Sequence, residues 1–530
     1  MIRPFGDRAL LVEVGDYRRA HALVASLDGE PRAGIVDLVP GMETVLVELD
    51  SSSSAKAASA ELERRLASLR VEASGSRERT IPTCYGEELG PDLADVARLT
   101  GLSLEEVAAT HAGATTLGVQ LVGFAPGFAY IGDLPERLRV PRLETPRTTT
   151  PPGSVAIAAS QTGIYPAALP GGWRVIGRTP ITLFDPRRDP PSYLAPGDRI
   201  RFRAIDPAAW AANAGHPGDW NGRAVAGEAT EPSGNEIEVL EGGLLTTVQD
   251  AFGRPGWRRY GVQAAGALDP DAAAAANRSA GNAPAASLLE ITLLGPTLRL
   301  AAPVRVGLAG ADLGAVIDGR ALAPGSSAVG SQIHFGERRS GARAYLAVAG
   351  GIAVPAVLGS RSTDLRSGFG GFEGRALRPG DRLPIGVVGD AEPPSRPAAS
   401  VRAGAGPIRI LPGPHPDRFA AGALDRLCET DWTASSRADR IAYRLDGPSI
   451  ERLATSELQS MGLPLGAVQV PPDGGPIVML ADRPVTGGYP VIACVARADI
   501  RRVAQLLPGE PLRFTLARDD GDAAWAGALG

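Results

Sequence analysis

The chain has 530 residues, 44% hydrophobic and 21% charged, with 66 Gly and 46 Pro, so it can bury a sizeable core in two to four domains and is not disordered as a whole. Its 54 basic and 59 acidic side chains give a net charge of -5 with no long run of one sign, which offers neither nucleic acid nor an anionic membrane surface a reason to bind. Lys56 is the only lysine, which excludes a P-loop, a Schiff-base lysine and a biotin-accepting Met-Lys-Met.

In chain order, residues 1–80 read as strand (9–14), helix (17–27), two strands about the turn Pro40-Gly41, helix (55–69) and a last strand near 79–83. That order is the split ferredoxin-like arrangement. Two short helices follow, the second opened by Ser103-Leu-Glu-Glu106, a capping box. Residues 118–205 are rich in Gly and Pro with short apolar segments, which predicts an all-β barrel or sandwich closing a unit that spans 81–205. Residues 206–235 show no periodicity and read as a linker. The second half divides into a β unit over 236–400 and another over 401–530. Its clearest helix has Asp269 as N-cap, Pro270 at the first position and Gly281 at the end. Further helices are expected at 416–428, 450–459 and 499–507.

Pro-Gly-Asp/Glu-x-Ile/Leu recurs at 196–200, 379–383 and 508–512, and residues 152–179 echo 465–495. The echo reads either as duplication with two equivalent clefts or as barrels that close with similar turns. The three cysteines, Cys84, Cys428 and Cys494, are scattered, and the five histidines form no HxH or HxxxH group, so no metal site is expected and a reducing compartment fits. The charged N-terminus and the lack of an 18-residue apolar run place the protein in the cytoplasm with no membrane span.

The segment GFAPGFAYIGDLPERLRVPRLETPRTTTPPGSVAIAASQTGIYPAALPGGWRVIGRTP (123–180) closely resembles the KipI-like family, also called allophanate hydrolase subunit 1. TVQDAFGRPGWRRYGV (247–262), GALDPDAAAAANRSAGN (266–282), LGSRSTDLRSGFGGFEGRAL (358–377) and VPPDGGPIVMLADRPVTGGYP (470–490) resemble the KipA-like family, subunit 2. The resemblance covers nearly the whole chain in order and implies a natural fusion of two subunits. It implies cyclophilin-like β-barrel domains and, overall, a β-rich α+β fold with a ferredoxin-like N-terminal subdomain. It also implies a role in ATP-dependent 5-oxoprolinase, as its B and C components, beside a LamB/YcsF-like subunit, with ATP and magnesium and without covalent biotin. The same modules resemble the carboxyltransferase domain of urea carboxylase, and proteins of these names are also linked to regulation of a histidine kinase. A homo-oligomer stays open. The family usually has Ser-Asp/Asn-Arg-Met-Gly-Tyr where this chain has Arg437-Ala-Asp439-Arg-Ile441-Ala-Tyr443, which could alter a local contact.

Catalytic candidates are His111, Gln161 and Asp473. His111 closes the capped helix, where an imidazole serves as an acid or base or simply complements the helix end; its matching family position singles it out. Gln161-Thr-Gly-Ile-Tyr165 gathers an amide, a hydroxyl and a phenol on an expected turn, suited to a small amide-bearing ligand or to plain turn packing. Asp473 holds the echoing place in the second half, with Arg483 following to supply a guanidinium. Substrate-binding candidates are Arg147, Tyr165, Arg178 and Arg483, which offer a phenol and guanidinium groups for a carboxylate or phosphoryl group. Gly487-Gly488-Tyr489 joins them, because glycines let the backbone approach a ligand under an aromatic cover. Gly368-Phe-Gly-Gly-Phe-Glu-Gly374 follows no strand-to-helix phosphate pattern and reads as a shaped loop.

Overall fold

The computed structural model describes residues 1–27, 34–51, 54–71, 77–213, 215, 223–224, 231–388, 406–453 and 458–517. It is β-rich with a minority of helix, and its four units follow the chain order. The N-terminal unit is a four-stranded antiparallel sheet in which Ile2–Pro4 pairs with Ala9–Glu13, which pairs with Thr44–Leu49, which pairs with Ile35–Pro40. The helices Tyr17–Leu27 and Ala55–Ser68 pack on one face through Leu23, Leu27, Ala58 and Leu62.

The strand expected near 79–83 forms as Glu78–Tyr85 but leaves this sheet. It runs parallel to Arg199–Ala204 and antiparallel to Arg174–Arg178 in a closed seven-stranded barrel. The sixth place of the ferredoxin-like order is therefore vacant, and the fourth strand of the sheet is Ile2–Pro4. Alternating burial along Glu78–Tyr85 is what a strand requires, and a barrel satisfies it as well as a sheet does.

Both recurrences have a structural basis. In each Pro-Gly-Asp/Glu turn the carboxylate accepts from the backbone N–H three residues earlier: Asp198 from Ala195 (2.9 Å), Asp381 from Arg378 (2.7 Å) and Glu510 from Leu507 (2.9 Å). The glycine between is left-handed each time, at φ 88, 91 and 84. The echo of 152–179 in 465–495 is topological too. Ser154–Ala158 pairs with Gln161–Ile164 and Arg174–Arg178, as Ala467–Gln469 pairs with Ile477–Met479 and Val491–Val495. Ile408–Pro412 runs parallel to Phe514–Leu516, matching the parallel pair of the first barrel, within an eight-stranded sheet.

Between the barrels lies a nine-stranded sheet around Thr297–Asp312, covered by the helix Pro270–Ala280. Asp269 caps that helix by accepting from Ala272 N–H at 3.0 Å, and Gly281 ends it. The segment 437–443, where the sequence departs from its family, carries the buried Arg440, which binds both Glu290 and Asp482 (2.9 Å) and donates to the Gly266 carbonyl at 2.7 Å. Tyr443 is likewise engaged, accepting from Arg343 at 2.6 Å.

Asp206 caps a short helix, Pro207–Ala212, and Pro232–Glu241 is already strand, so order reaches into both ends of the expected linker; most of its middle lies outside the described residues. The helix expected at 450–459 is not found among the described residues, where Arg452 instead bridges to Phe419; residues 454–457 lie outside them.

The N-terminal sheet turns its second face to the C-terminal barrel, where Phe5, Leu11, Val39 and Leu46 pack with Met461, Leu463, Val485 and Val491. Burying eight such side chains contributes on the order of 12–24 kcal/mol before chain entropy is counted.

Candidate functional site

The loop of residues 123–128 leaves the first barrel as a tight turn in which Phe128 N–H donates to the Ala125 carbonyl and Gly123 N–H to the Phe128 carbonyl, both at 3.0 Å. Phe124 sits in it at φ 66, a left-handed conformation that costs a non-glycine residue roughly 1–3 kcal/mol and marks functional sites. Its ring is thereby aimed at the second half, where the Arg366 guanidinium lies over it at 4.9 Å.

Arg366 comes from a loop anchored on Asp250. Ser360 Oγ and Arg361 N–H donate to one Asp250 oxygen (2.6 and 2.8 Å), and Asp250 N–H donates to Ser362 Oγ at 2.9 Å. Farther along, Asp364 accepts from Ser367 N–H at 3.0 Å. The same loop places Phe369 against Phe184 of the first half (5.8 Å) and over Arg254 (4.9 Å), and Gly127 N–H donates to the Tyr260 carbonyl at 3.0 Å. Gly368–Gly374, read as a shaped loop, lines a cavity of about 480 Å³ with Val354, Pro355 and Pro384.

Behind Phe124 stands an aromatic wall, Phe128, Tyr130, Tyr165 and Trp173, in edge-to-face contact at 4.9–5.9 Å. Gly171 permits it, because a Cβ there would overlap the Tyr165 hydroxyl. Burial pushes the Tyr130 phenol up to about 12, and the positive charges of Arg142 and Arg366 draw it the other way. Several buried polar atoms around this seam find no partner in the protein: Arg254 Nη1, both amide ends of Gln263, Asp364 Oδ2 and Ser367 Oγ. Such atoms are rare and concentrate where water or ligands complete a site.

The structure distributes the sequence-selected residues unevenly. Tyr165 belongs to the aromatic wall, and Arg147 lies within electrostatic reach of its phenol while pairing with Asp92 at 2.5 Å. Gln161 and Tyr165 share no turn: Gln161–Ile164 is a barrel strand, so the two stand roughly 13 Å apart at its opposite ends. The Gln161 amide donates to Gln120 Oε1 at 2.8 Å. His111 is sealed in the barrel core, 0% exposed, with Tyr85 Oη 2.8 Å from Nδ1 and Thr162 Oγ1 2.9 Å from Nε2. Burial drives its pKa down to about 3, which removes it from the acid–base role.

Arg178 faces away from the seam, donating to the Pro152 carbonyl at 2.6 Å and lying over the Trp210 ring at 5.3 Å. Asp473 and Arg483 do not meet. Asp473 is exposed and stabilises its own turn by accepting from Gly475 N–H at 3.1 Å, whereas Arg483 is buried on Glu48. Gly487 and Gly488 lie beside residues 458–463, Thr486–Gly487 pairing with Met461–Gly462, and Tyr489 is 37% exposed. Among the described residues no three His, Cys, Asp or Glu gather to hold a metal ion, and no helix is long and apolar enough to cross a membrane. Phe124, Tyr130 and Arg366 escaped the sequence reading. The signal was present as two glycine-rich strings, but their meeting depends on the fold.

The description of a carboxyltransferase domain, subdomains C and D, matches residues 1–194, and that of subdomains A and B matches 260–516. The C component of 5-oxoprolinase from Escherichia coli is 42% identical over 283 residues, 52% of this chain and 90% of that protein. The B component of 5-oxoprolinase from Bacillus subtilis is 36% identical over 222 residues, 38% of this chain and 92% of that protein. Urea amidolyase of Lachancea kluyveri is 30% identical over 52% of this chain and 17% of its own length. The solved structure of TTHA0988 is 35% identical and superposes with a TM-score of 0.81 over 97% of this chain and 100% of that one. The chain belongs to the carboxyltransferase-domain family, with subdomains C and D preceding A and B in one polypeptide.

Proposed function

We propose that this chain is the fused B and C component of an ATP-dependent 5-oxoprolinase and works with a LamB/YcsF-like subunit to open 5-oxoproline to glutamate. The observation that carries the reading is that relatives named as the B and C components of 5-oxoprolinase align with successive halves of the chain over about nine-tenths of their own lengths. The aromatic and cationic cluster at the seam between those halves, with Tyr165 and Arg147 at its first-half side, is the substrate site in this reading.

Amide resonance makes the lactam carbonyl a poor electrophile. Transfer of the γ-phosphoryl group of ATP to the lactam oxygen releases ADP and leaves a carbon that water can attack. That attack and cleavage of the ring C–N bond, with a proton delivered to nitrogen, open the ring to γ-glutamyl phosphate, and a second water displaces the phosphate to give glutamate. Magnesium enters with the nucleotide. The residues of this chain bind the lactam, orient its ring and limit water around it.

The purified chain alone should release no glutamate, and adding the LamB/YcsF-like subunit, ATP and magnesium should yield glutamate, ADP and phosphate together. Absence of glutamate from the complete mixture overturns the reading. Carboxyl transfer from a separate biotinylated carrier is the second reading, favoured by the likeness to urea amidolyase, and urea-dependent consumption of a carboxybiotinylated carrier would select it.

A further inference from the structure

At the seam two polar groups from opposite halves stand without a partner. Among the described residues, the Arg366 guanidinium makes no hydrogen bond or ion pair; it lies over the Phe124 ring and feels the charge of Asp364 and the Tyr130 phenol. The Tyr130 hydroxyl makes no hydrogen bond either, although its ring is held edge-to-face by Phe128 at 4.9 Å and Trp173 at 5.7 Å. The neighbouring Arg254 differs: its Nε and Nη2 donate to the Val357 and Ser362 carbonyls, which leaves Nη1 alone without a partner. Asp364 is within electrostatic reach of both arginines, and Asp250 and Asp482 also reach Arg254, so Asp364 is the carboxylate that Arg366 feels and it shares that carboxylate with Arg254.

We propose that Arg366 and Tyr130 form a clasp for the carboxylate of a small ring-bearing acid, the guanidinium and the hydroxyl each donating to it. A fork of N–H donors beside one O–H donor matches the two oxygens of a carboxylate. The adjoining faces of Phe124, Phe128 and Tyr130 give the ring that carries it an apolar wall. A phosphoryl group, with more charge and a third oxygen to satisfy, would call for more donors than these two. The clasp rests on the reading of the chain as a 5-oxoprolinase component and assigns the part of that substrate it holds. It also explains the left-handed Phe124, because relaxing that turn would withdraw the ring from beneath the guanidinium.

Calorimetric titration of the purified full chain with 5-oxoproline and with 2-pyrrolidinone, the same lactam without its carboxylate, tests the clasp. The native chain should bind 5-oxoproline at least about tenfold more tightly, and Arg366→Gln should abolish that preference while leaving 2-pyrrolidinone binding unchanged. Tyr130→Phe should weaken 5-oxoproline binding about threefold, and Arg366→Lys, which keeps the charge but not the fork, should fall between. Equal binding of the two lactams by the native chain, or a preference that survives in Arg366→Gln, overturns the clasp. So does inorganic phosphate that binds with Arg366-dependence and excludes 5-oxoproline. The reconstituted assay separates the two proposals: Arg366-dependent carboxylate binding without glutamate release leaves the clasp and removes the oxoprolinase reading. Glutamate release by Arg366→Gln at the native KM does the reverse.

Discussion

Arg483, in the C-terminal barrel, reaches Glu48 on the N-terminal sheet, with Nη2 2.7 Å from the carboxylate. Arg258, 1% exposed, joins the same carboxylate at 2.6 Å from the middle of the chain. One acid thus pairs with two buried guanidinium groups, and those arginines hold Glu48 below its ordinary titration range despite burial. Glu48→Gln removes the ion-pair partner of Arg483 and of Arg258 and should cost about 3–5 kcal/mol in chemical denaturation. Because the folded pKa is depressed, the contribution of the native carboxylate is present above its ordinary range and is lost as pH falls through the folded value. The deficit of the variant should shrink in acid.

Asp37 lies in the same cluster with the opposite sign. Burial, with Glu48 adding to it, raises its pKa to about 6, although Arg258 pulls the other way and Gly256 N–H donates to it at 2.8 Å. The folded chain therefore holds this proton more tightly than the unfolded chain, and stability falls as pH rises from about 4 to 6, by on the order of 3 kcal/mol from this group. Asp37→Asn should remove that slope. Unfolding free energies of the two proteins at pH 4 and pH 7 check it, the variant gaining on the native chain as pH rises.

His111 should be silent where histidines normally titrate. Its ring proton resonances should stay constant between pH 5 and 8, since the folded pKa is about 3. The unfolded chain takes the proton first, so this group lowers stability as pH drops below about 6.5. His111→Ala should cost roughly 2–4 kcal/mol by stranding the Tyr85 hydroxyl and opening a cavity in the barrel core, while Thr162 keeps its bond to the Ala156 carbonyl.

Residues 1–205 and 231–530, produced as two polypeptides in one cell, should co-purify. The apolar contact of the N-terminal sheet with the C-terminal barrel and the Glu48 cluster both span the cut. Adding Glu48→Ala should weaken the complex, read as dissociation in analytical ultracentrifugation.

Local chemistry was legible in the sequence. Ser103 and Glu106 form the capping box, Asp269 and Gly281 bound their helix, and the Pro-Gly-Asp/Glu turns close as their spacing suggests. Partner choice was not. The alternation along 78–85 specifies a strand and is indifferent to whether Arg199–Ala204 or the N-terminal sheet receives it. Arg483 looked like a ligand arginine because sequence does not show that Glu48 claims it, and Arg366 looked ordinary because nothing local reveals that it lacks a claimant. His111 drew notice for its chemistry, which burial then cancelled.

The first half leaves one face of its N-terminal sheet to be covered by the far barrel rather than by its own. When two such halves are separate molecules, that coverage depends on concentration and weakens on dilution. Joining them in one polypeptide replaces that bimolecular step with a local concentration in the millimolar range or above, and it fixes their ratio at one to one. A seam built from both halves then stays assembled at any expression level.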